Sequence, residues 1–264
     1  MIKRIIIAGL KGGEGATTIT ANLAIALEKL DQKTLSIDCT KMNLLKLHFS
    51  TQIKISQGWV IHAMNNVALD KAAFESPQGA MFFPFGDLSF QQMQEFKKSQ
   101  KQVFNTLVDE LIRVEETFQW QLILLDNMIE NQEEYACLLD SSDLICLVLT
   151  PEPSHYNLLH QKIFNQEINS YLQQHFSKTK FIINQFHAES TVSSDFLMVL
   201  QKELKMSLIP VHLHYDPAIV ECIANLTDIL NHAPQSLLAH DFQALAYWYL
   251  SYFSPEVQSK SLII

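Results

Sequence analysis

The sequence predicts an α/β fold: a single domain over residues 1–264, built on a mostly parallel seven- to eight-stranded sheet with helices on both faces. Three observations predict it. Short β-branched runs alternate with longer helical patterns along the whole chain. Most of these runs are almost unbroken in apolar character, as strands covered on both faces must be. The first run leads directly into a glycine cluster and then a helical pattern, a strand–loop–helix unit.

The expected strands are 3–9 (KRIIIAG), 34–38 (TLSID), 81–86 (MFFPFG), 121–126 (QLILLD), 144–150 (LICLVLT), 180–186 (KFIINQF) and 209–214 (IPVHLH). Helices are expected between and after them at 17–30, 57–66, 95–117, 132–140, 155–174, 193–205, 216–225 and 235–253. The last, QSLLAHDFQALAYWYLSYF, is rich in aromatics but lacks the basic face of a membrane-surface helix, so it is read as a closing helix packed on the sheet. A phosphorylation cluster at Tyr247, Tyr249 and Tyr252 is the alternative reading of that segment. No internal repeat and no Pro/Gly/Ser-rich linker divides the chain.

Composition narrows the partners. A net charge of −9 argues against nucleic acid, because a phosphate backbone needs clustered Lys and Arg. No apolar run approaches the ~20 residues of a membrane helix, so direct membrane insertion is not expected. The opening MIKRIIIAGLKGG has too short an apolar stretch for a signal peptide. Cys39, Cys137, Cys146 and Cys222 are scattered without a CxxC pair, which fits a reducing cytoplasm. His212 and His214 alternate on one strand, but no third ligand accompanies them to make a metal site.

Four of the seven glycines lie within residues 9–15, in GLKGGEGATTIT (9–20). Glycine concentrated after a strand and before a helix builds a phosphate cradle from backbone N–H groups and the helix N-terminus. Gly12, Gly13 and Gly15 supply the bend, Thr17 stands where a Mg²⁺-ligating hydroxyl belongs, and Thr18 adds a phosphate contact. The loop departs from the standard pattern three times. Leu10 replaces the first glycine, Ala16 replaces the lysine, and Glu14 adds a carboxylate, which is expected to point outward. Loss of the lysine contact costs on the order of 1.5–3 kcal/mol.

Lys11 precedes Gly-Gly, and at this point KGGEGATTITANLAIAL resembles the deviant Walker A loop of the MinD/ParA class of dimeric P-loop ATPases. The resemblance implies that Lys11 reaches across a nucleotide-sandwich homodimer to the partner's phosphates. SIDCTKMNLLKLHF (36–49) is similar to switch I of the class and LILLDNMIE (122–130) to its switch II. FIINQF (181–186) matches the strand whose asparagine recognises adenine, here Asn184, and IPVHLHYDPAIVECI (209–223) matches the segment bordering the base, here Asp216 and Pro217. Within the class, GATTIT, DCTKMNLLKLHF, QGWVIHAM (57–64) and FFPFGDLSF (82–90) are most similar to the BcsQ (YhjQ) family of cellulose-synthase operons. That resemblance implies a cytoplasmic accessory protein of cellulose secretion that binds ATP or ADP with Mg²⁺. It also implies a small operon-encoded partner and recruitment to cellulose synthase at the inner membrane.

Hydrolysis needs a placed metal and an oriented water. Asp126 sits at the Walker B position and Asp38 at the first switch I aspartate, but the second is Thr40, and DNMIE lacks the class's Pro-Gly turn. Slow or absent hydrolysis is therefore expected. Two other readings stay open: a degenerate scaffold that binds no ligand, and an ATPase with a turnover cycle or an exopolysaccharide tyrosine kinase relative.

Overall fold

The computed structural model describes residues 2–49, 57–164 and 170–254. Strand β1 (Lys3–Gly9) is followed by helix α1 (Ala16–Glu28) and β2 (Thr34–Asp38). Next come α2 (Trp59–Met64), β3 (Phe74–Glu75), β4 (Met81–Phe83), α3 (Phe90–Arg113), β5 (Trp120–Leu125), α4 (Ala136–Ser141) and β6 (Leu144–Leu149). The second half holds α5 (Pro153–Leu159), α6 (Ser170–Gln174), β7 (Thr179–Phe186), α7 (Thr191–Leu204), β8 (Leu208–His214), α8 (Ala218–Ala224), α9 (Ile229–His232) and α10 (Leu237–Tyr252). The eight strands form one sheet in the order β3-β4-β2-β5-β1-β6-β7-β8. Every neighbouring pair is parallel except β3 with β4.

The apolar strands divide their residues between two cores. Ile6 and Ala8 of β1, with Ile123, Leu125, Ile145 and Leu147, face α2 to α5 and α7, where Trp59, Phe96 and Phe104 are buried. Ile5 and Ile7, with Leu122, Leu124, Cys146 and Val148, face α1 and α8 to α10. Period-two alternation is therefore present but hidden, since both faces are dry. At the start of β1, Arg4 lies 4% exposed in register with Gln121. Its Nε donates to Gln121 Oε1 at 2.8 Å, and its backbone N–H donates to Asp143 Oδ2 at 2.7 Å.

Seven expected strands are present, and the edge ribbon adds the two-residue β3. Strand β4 stops at Phe83 rather than residue 86, because Pro84 cannot donate to the ladder and its carbonyl instead accepts from Trp59 N–H at 3.0 Å. Helix α3 starts five residues earlier than expected, at a capping box in which Ser89 and Gln92 bond reciprocally. The helix expected over 132–140 begins only at Ala136, since residues 127–135 are taken up by turns. The helix expected over 155–174 starts at Pro153 behind Glu152, and its residues 165–169 lie outside the described residues. Helix α10 packs against α1 and β8, as a closing helix should. Tyr249 within it is fully buried with its hydroxyl 2.9 Å from Cys146 Sγ, so the three tyrosines do not form an accessible cluster.

Candidate functional site

Parallel strands deliver their C-terminal ends to one edge of the sheet, and β1 sits there between β5 and β6. The register pairs Ala8 with Leu125 and Gly9 with Val148, so Asp126 and Thr150 emerge beside the start of the glycine loop. Val148 pairs with Ile182, which brings Asn184 to the same level.

The loop bends through left-handed backbone at Gly13 (φ 94°) and Gly15 (φ 88°), the latter capping α1. A side chain on Gly15 would also collide with Asn184 Nδ2. The backbone N–H groups of residues 12 to 18 have no hydrogen-bond partner among the described residues, while Ile19 N–H already bonds Gly15 O. This is the geometry of an anion-binding concavity, at the head of a thirteen-residue helix. Thr17 and Thr18 are half-buried on the first turn. Ala16 opens the helix where the lysine would stand, and Leu10 is packed into the core at 3% exposure.

Glu14 does not point outward. Its side chain is 2% exposed and folds back beneath the loop. Oε1 accepts from Lys11 N–H at 2.7 Å and lies 2.9 Å from His155 Nε2. Gly9 makes room for it, since any Cβ there would collide with Glu14 Oε2. The physical reason is local supply: the Lys11 N–H and a buried imidazole lie under the loop and satisfy the carboxylate there.

Lys11 projects from the loop, and its Nζ donates to Glu152 Oε1 at 2.9 Å and Ser154 Oγ at 3.0 Å. Hydrogen bonds from Ser154 and Lys11 hold the Glu152 carboxyl down at about 2. Asn184, 7% exposed, donates Nδ2 to Glu14 O at 2.6 Å, and Gln185 Nε2 donates to Gly13 O at 3.0 Å. Two side chains of β7 thus brace the loop. Beside them a cavity of about 210 Å³ is lined by Gly15, Thr18, Asn184, Tyr215, Asp216 and Phe242 among others. Asp216 Oδ1 accepts from Ala218 N–H at 2.9 Å, and exposed Pro217 caps α8.

The two strand-end aspartates differ. Asp126 is half-buried and accepts from the Tyr135 hydroxyl at 3.1 Å. Asp38 is fully buried; it accepts from Thr40 N–H at 2.9 Å, Thr40 Oγ1 at 2.7 Å and Leu45 N–H at 3.0 Å. Burial nonetheless pushes its carboxyl up to about 6, with the Asp126 charge adding to the rise. Trp59 Nε1 donates to Asp38 O at 2.8 Å, and Gly58 lies against the backbone of Gly86. Asp87 accepts from Asn43 Nδ2 at 2.9 Å and Lys46 Nζ at 3.2 Å. The segments NLLK, QGW and FPFGD therefore pack as one wall that holds the loop after β2.

His155, Glu152 and Ser154 escaped the reading of the sequence. The available signal was TPEPSH (150–155), a polar cluster placed where a buried strand ends. Among the described residues no cluster of His, Cys, Asp and Glu is suited to hold a metal by itself, and His212 and His214 gain no third ligand. The four cysteines are free. No described helix is long and apolar enough to cross a membrane.

This geometry has relatives. The MinC:MinD cell division complex of Aquifex aeolicus superposes with a TM-score of 0.73 at 20% identity, over 96% of this chain and 98% of that one. The septum site-determining protein MinD of Pyrococcus horikoshii, solved with Mg-ADP, superposes with a TM-score of 0.69 at 20% identity, over 93% and 95% of the two chains. Both likenesses show the fold, that of a MinD/ParA-type P-loop NTPase. The cellulose biosynthesis protein BcsQ of Escherichia coli K12 is 26% identical over 247 residues, 93% of each chain. The family described as cellulose biosynthesis protein BcsQ matches residues 2–250. The chain belongs to the BcsQ family.

Proposed function

We propose that the chain is an ATP-binding switch of cellulose biosynthesis and secretion that pairs as a nucleotide-sandwich homodimer and hydrolyses ATP slowly or not at all. The observation that carries this reading is the row of unpartnered amides from residue 12 to 18, opened toward solvent by a loop whose own carboxylate is turned away. The α- and β-phosphates would lie on those amides and on the hydroxyls of Thr17 and Thr18. Thr17 and Asp126 would hold Mg²⁺, which supplies charge neutralisation on the phosphates. The pocket beside Asn184, Asp216 and Pro217 would take the base, with Asn184 Oδ1 left to accept because its Nδ2 serves the loop.

Lys11 would leave Glu152 and Ser154 for the partner's phosphates, restoring in trans the charge that Ala16 withholds in cis. Weak turnover follows from the buried Asp38, whose carboxylate is committed to the Thr40–Leu45 turn, and from Thr40, which cannot act as a base. The dimer would dock on a small operon-encoded partner and the synthase, and through them reach the inner membrane. The test is light scattering of the purified chain with and without ATP and Mg²⁺. Nucleotide should double the mass, and Lys11→Ala should abolish the doubling. A mass indifferent to nucleotide, with no calorimetric heat of binding, would leave the scaffold reading standing instead.

A further inference from the structure

The phosphate loop carries an acid, and the fold hides it. Glu14 is 2% exposed and has two donors: Lys11 N–H, which belongs to the loop itself, and His155 Nε2, 2.9 Å away. His155 is 1% exposed and stands on the first turn of α5, 141 positions along the chain. Nε2 is the ring atom that faces the Glu14 carboxylate, as a donor to it. On the other side of the ring, Nδ1 lies 2.6 Å from Thr150 Oγ1 and 2.9 Å from Glu152 Oε1, so the imidazole is held from β6 and from the helix start at once. Glu152 in turn holds Lys11 Nζ. The ring is thus the one side-chain donor to the loop's carboxylate among the described contacts, and its own orientation is fixed twice.

We propose that His155 is a positioning residue that keeps the Glu14 carboxylate folded beneath the loop, so that the amide cradle accepts a polyphosphate despite an acid in its own sequence. The proposal rests on the nucleotide-binding reading above. Without the imidazole, Glu14 retains a single donor in a dry site, and a buried carboxylate so poorly served moves toward water. The nearest solvent-exposed ground is the loop itself, at Gly12 and Gly13. There its charge opposes the phosphates, in a loop that already lacks the neutralising lysine. The same contact explains why Gly9 has no side chain: Glu14 Oε2 occupies that space.

Calorimetric titration of the full chain with ATP and Mg²⁺ tests this. His155→Ala should weaken binding tenfold or more, and Glu14→Gln added to it should return the affinity to within about threefold of wild type. His155→Gln, which keeps a donor near the position of Nε2, should bind within about threefold of wild type, and it carries the comparison if the alanine variant does not fold. Unchanged affinity in His155→Ala overturns the proposal. So does a loss that Glu14→Gln fails to restore, because the ring would then be supporting the loop's shape rather than parking its charge. A wild-type chain that binds no nucleotide removes the nucleotide reading and this proposal together, whereas normal binding with the wrong variant pattern removes the proposal alone.

Discussion

Asp38 and Asp126 end neighbouring strands on the same edge of the sheet, yet they are held in opposite ways. Asp38 is sealed at 0% exposure and takes three hydrogen bonds from the segment that follows it. Asp126 remains half-open and takes one, from Tyr135. The residue type is the same, and so is its place after an apolar strand. What differs is the next ten residues. After Asp38 a tight turn brings back a threonine and an amide, and Trp59 closes the lid on them. After Asp126 the chain turns through Asn127 with φ 44° and leaves the aspartate half-buried, with the Tyr135 hydroxyl as its described donor. One aspartate is architecture; the other keeps part of its surface open to solvent.

That contrast is breakable. The largest effect is expected from Asp38→Ala, which strands the buried amides of Thr40 and Leu45 and should cost about 3 kcal/mol or more of stability, read by chemical denaturation. Asp38→Asn sharpens the point through pH. A carboxyl whose folded pKa of about 6 exceeds its ordinary 3.8 contributes stability that is fully present below pH 3.8 and lost as pH rises through 6. In magnesium-free protein this amounts to about 3 kcal/mol between the two limits. The wild-type stability should fall across that window relative to Asp38→Asn, and a constant difference between them from pH 3.5 to 7 would mean that Asp38 is not the sealed group described.

A smaller effect should follow Asp126→Ala. Folding should be nearly unaffected, while magnesium-dependent ATP affinity drops about ten- to a hundredfold, the worth of a charge-assisted contact. Equal losses with and without magnesium would argue against a metal role. Least affected should be Tyr135→Phe, which removes the one donor to the Asp126 carboxylate among the described residues. About 1 kcal/mol of stability is at stake, and magnesium affinity should rise or stay level, because the carboxylate is freed.

The same two residues show what the sequence made legible. Both strand ends could be placed, because a short strand-like run closing on an aspartate, TLSID or QLILLD, is a local pattern, and so could the glycine bend at residues 12–15. The fate of each carboxylate was not legible, because it depends on which donors the following turn returns to it, Thr40 and Leu45 for Asp38 and Tyr135 for Asp126, and such contacts leave no periodic mark. Glu14 is the clearest case. Its orientation is decided by His155, and no spacing rule connects residues 141 positions apart. Helix α3 begins before its apolar stripe does: its capping box lies in SFQQ, whose one apolar residue, Phe90, is exposed. Strand β3 has two residues and no pattern of its own.

Buried Arg4 has a consequence for how the sheet is assembled. Because Ile5, Ile6, Ile7 and Ala8 are apolar on either side, sliding β1 by one step exchanges the two cores without wetting either. Greasiness alone leaves that alignment degenerate. A guanidinium that finds Gln121 Oε1 in a single setting, with a backbone N–H that finds Asp143 in the same one, removes the degeneracy. A cation at the foot of the central strand works as the alignment pin for the glycine-loop edge, which opens at Gly9, five residues on.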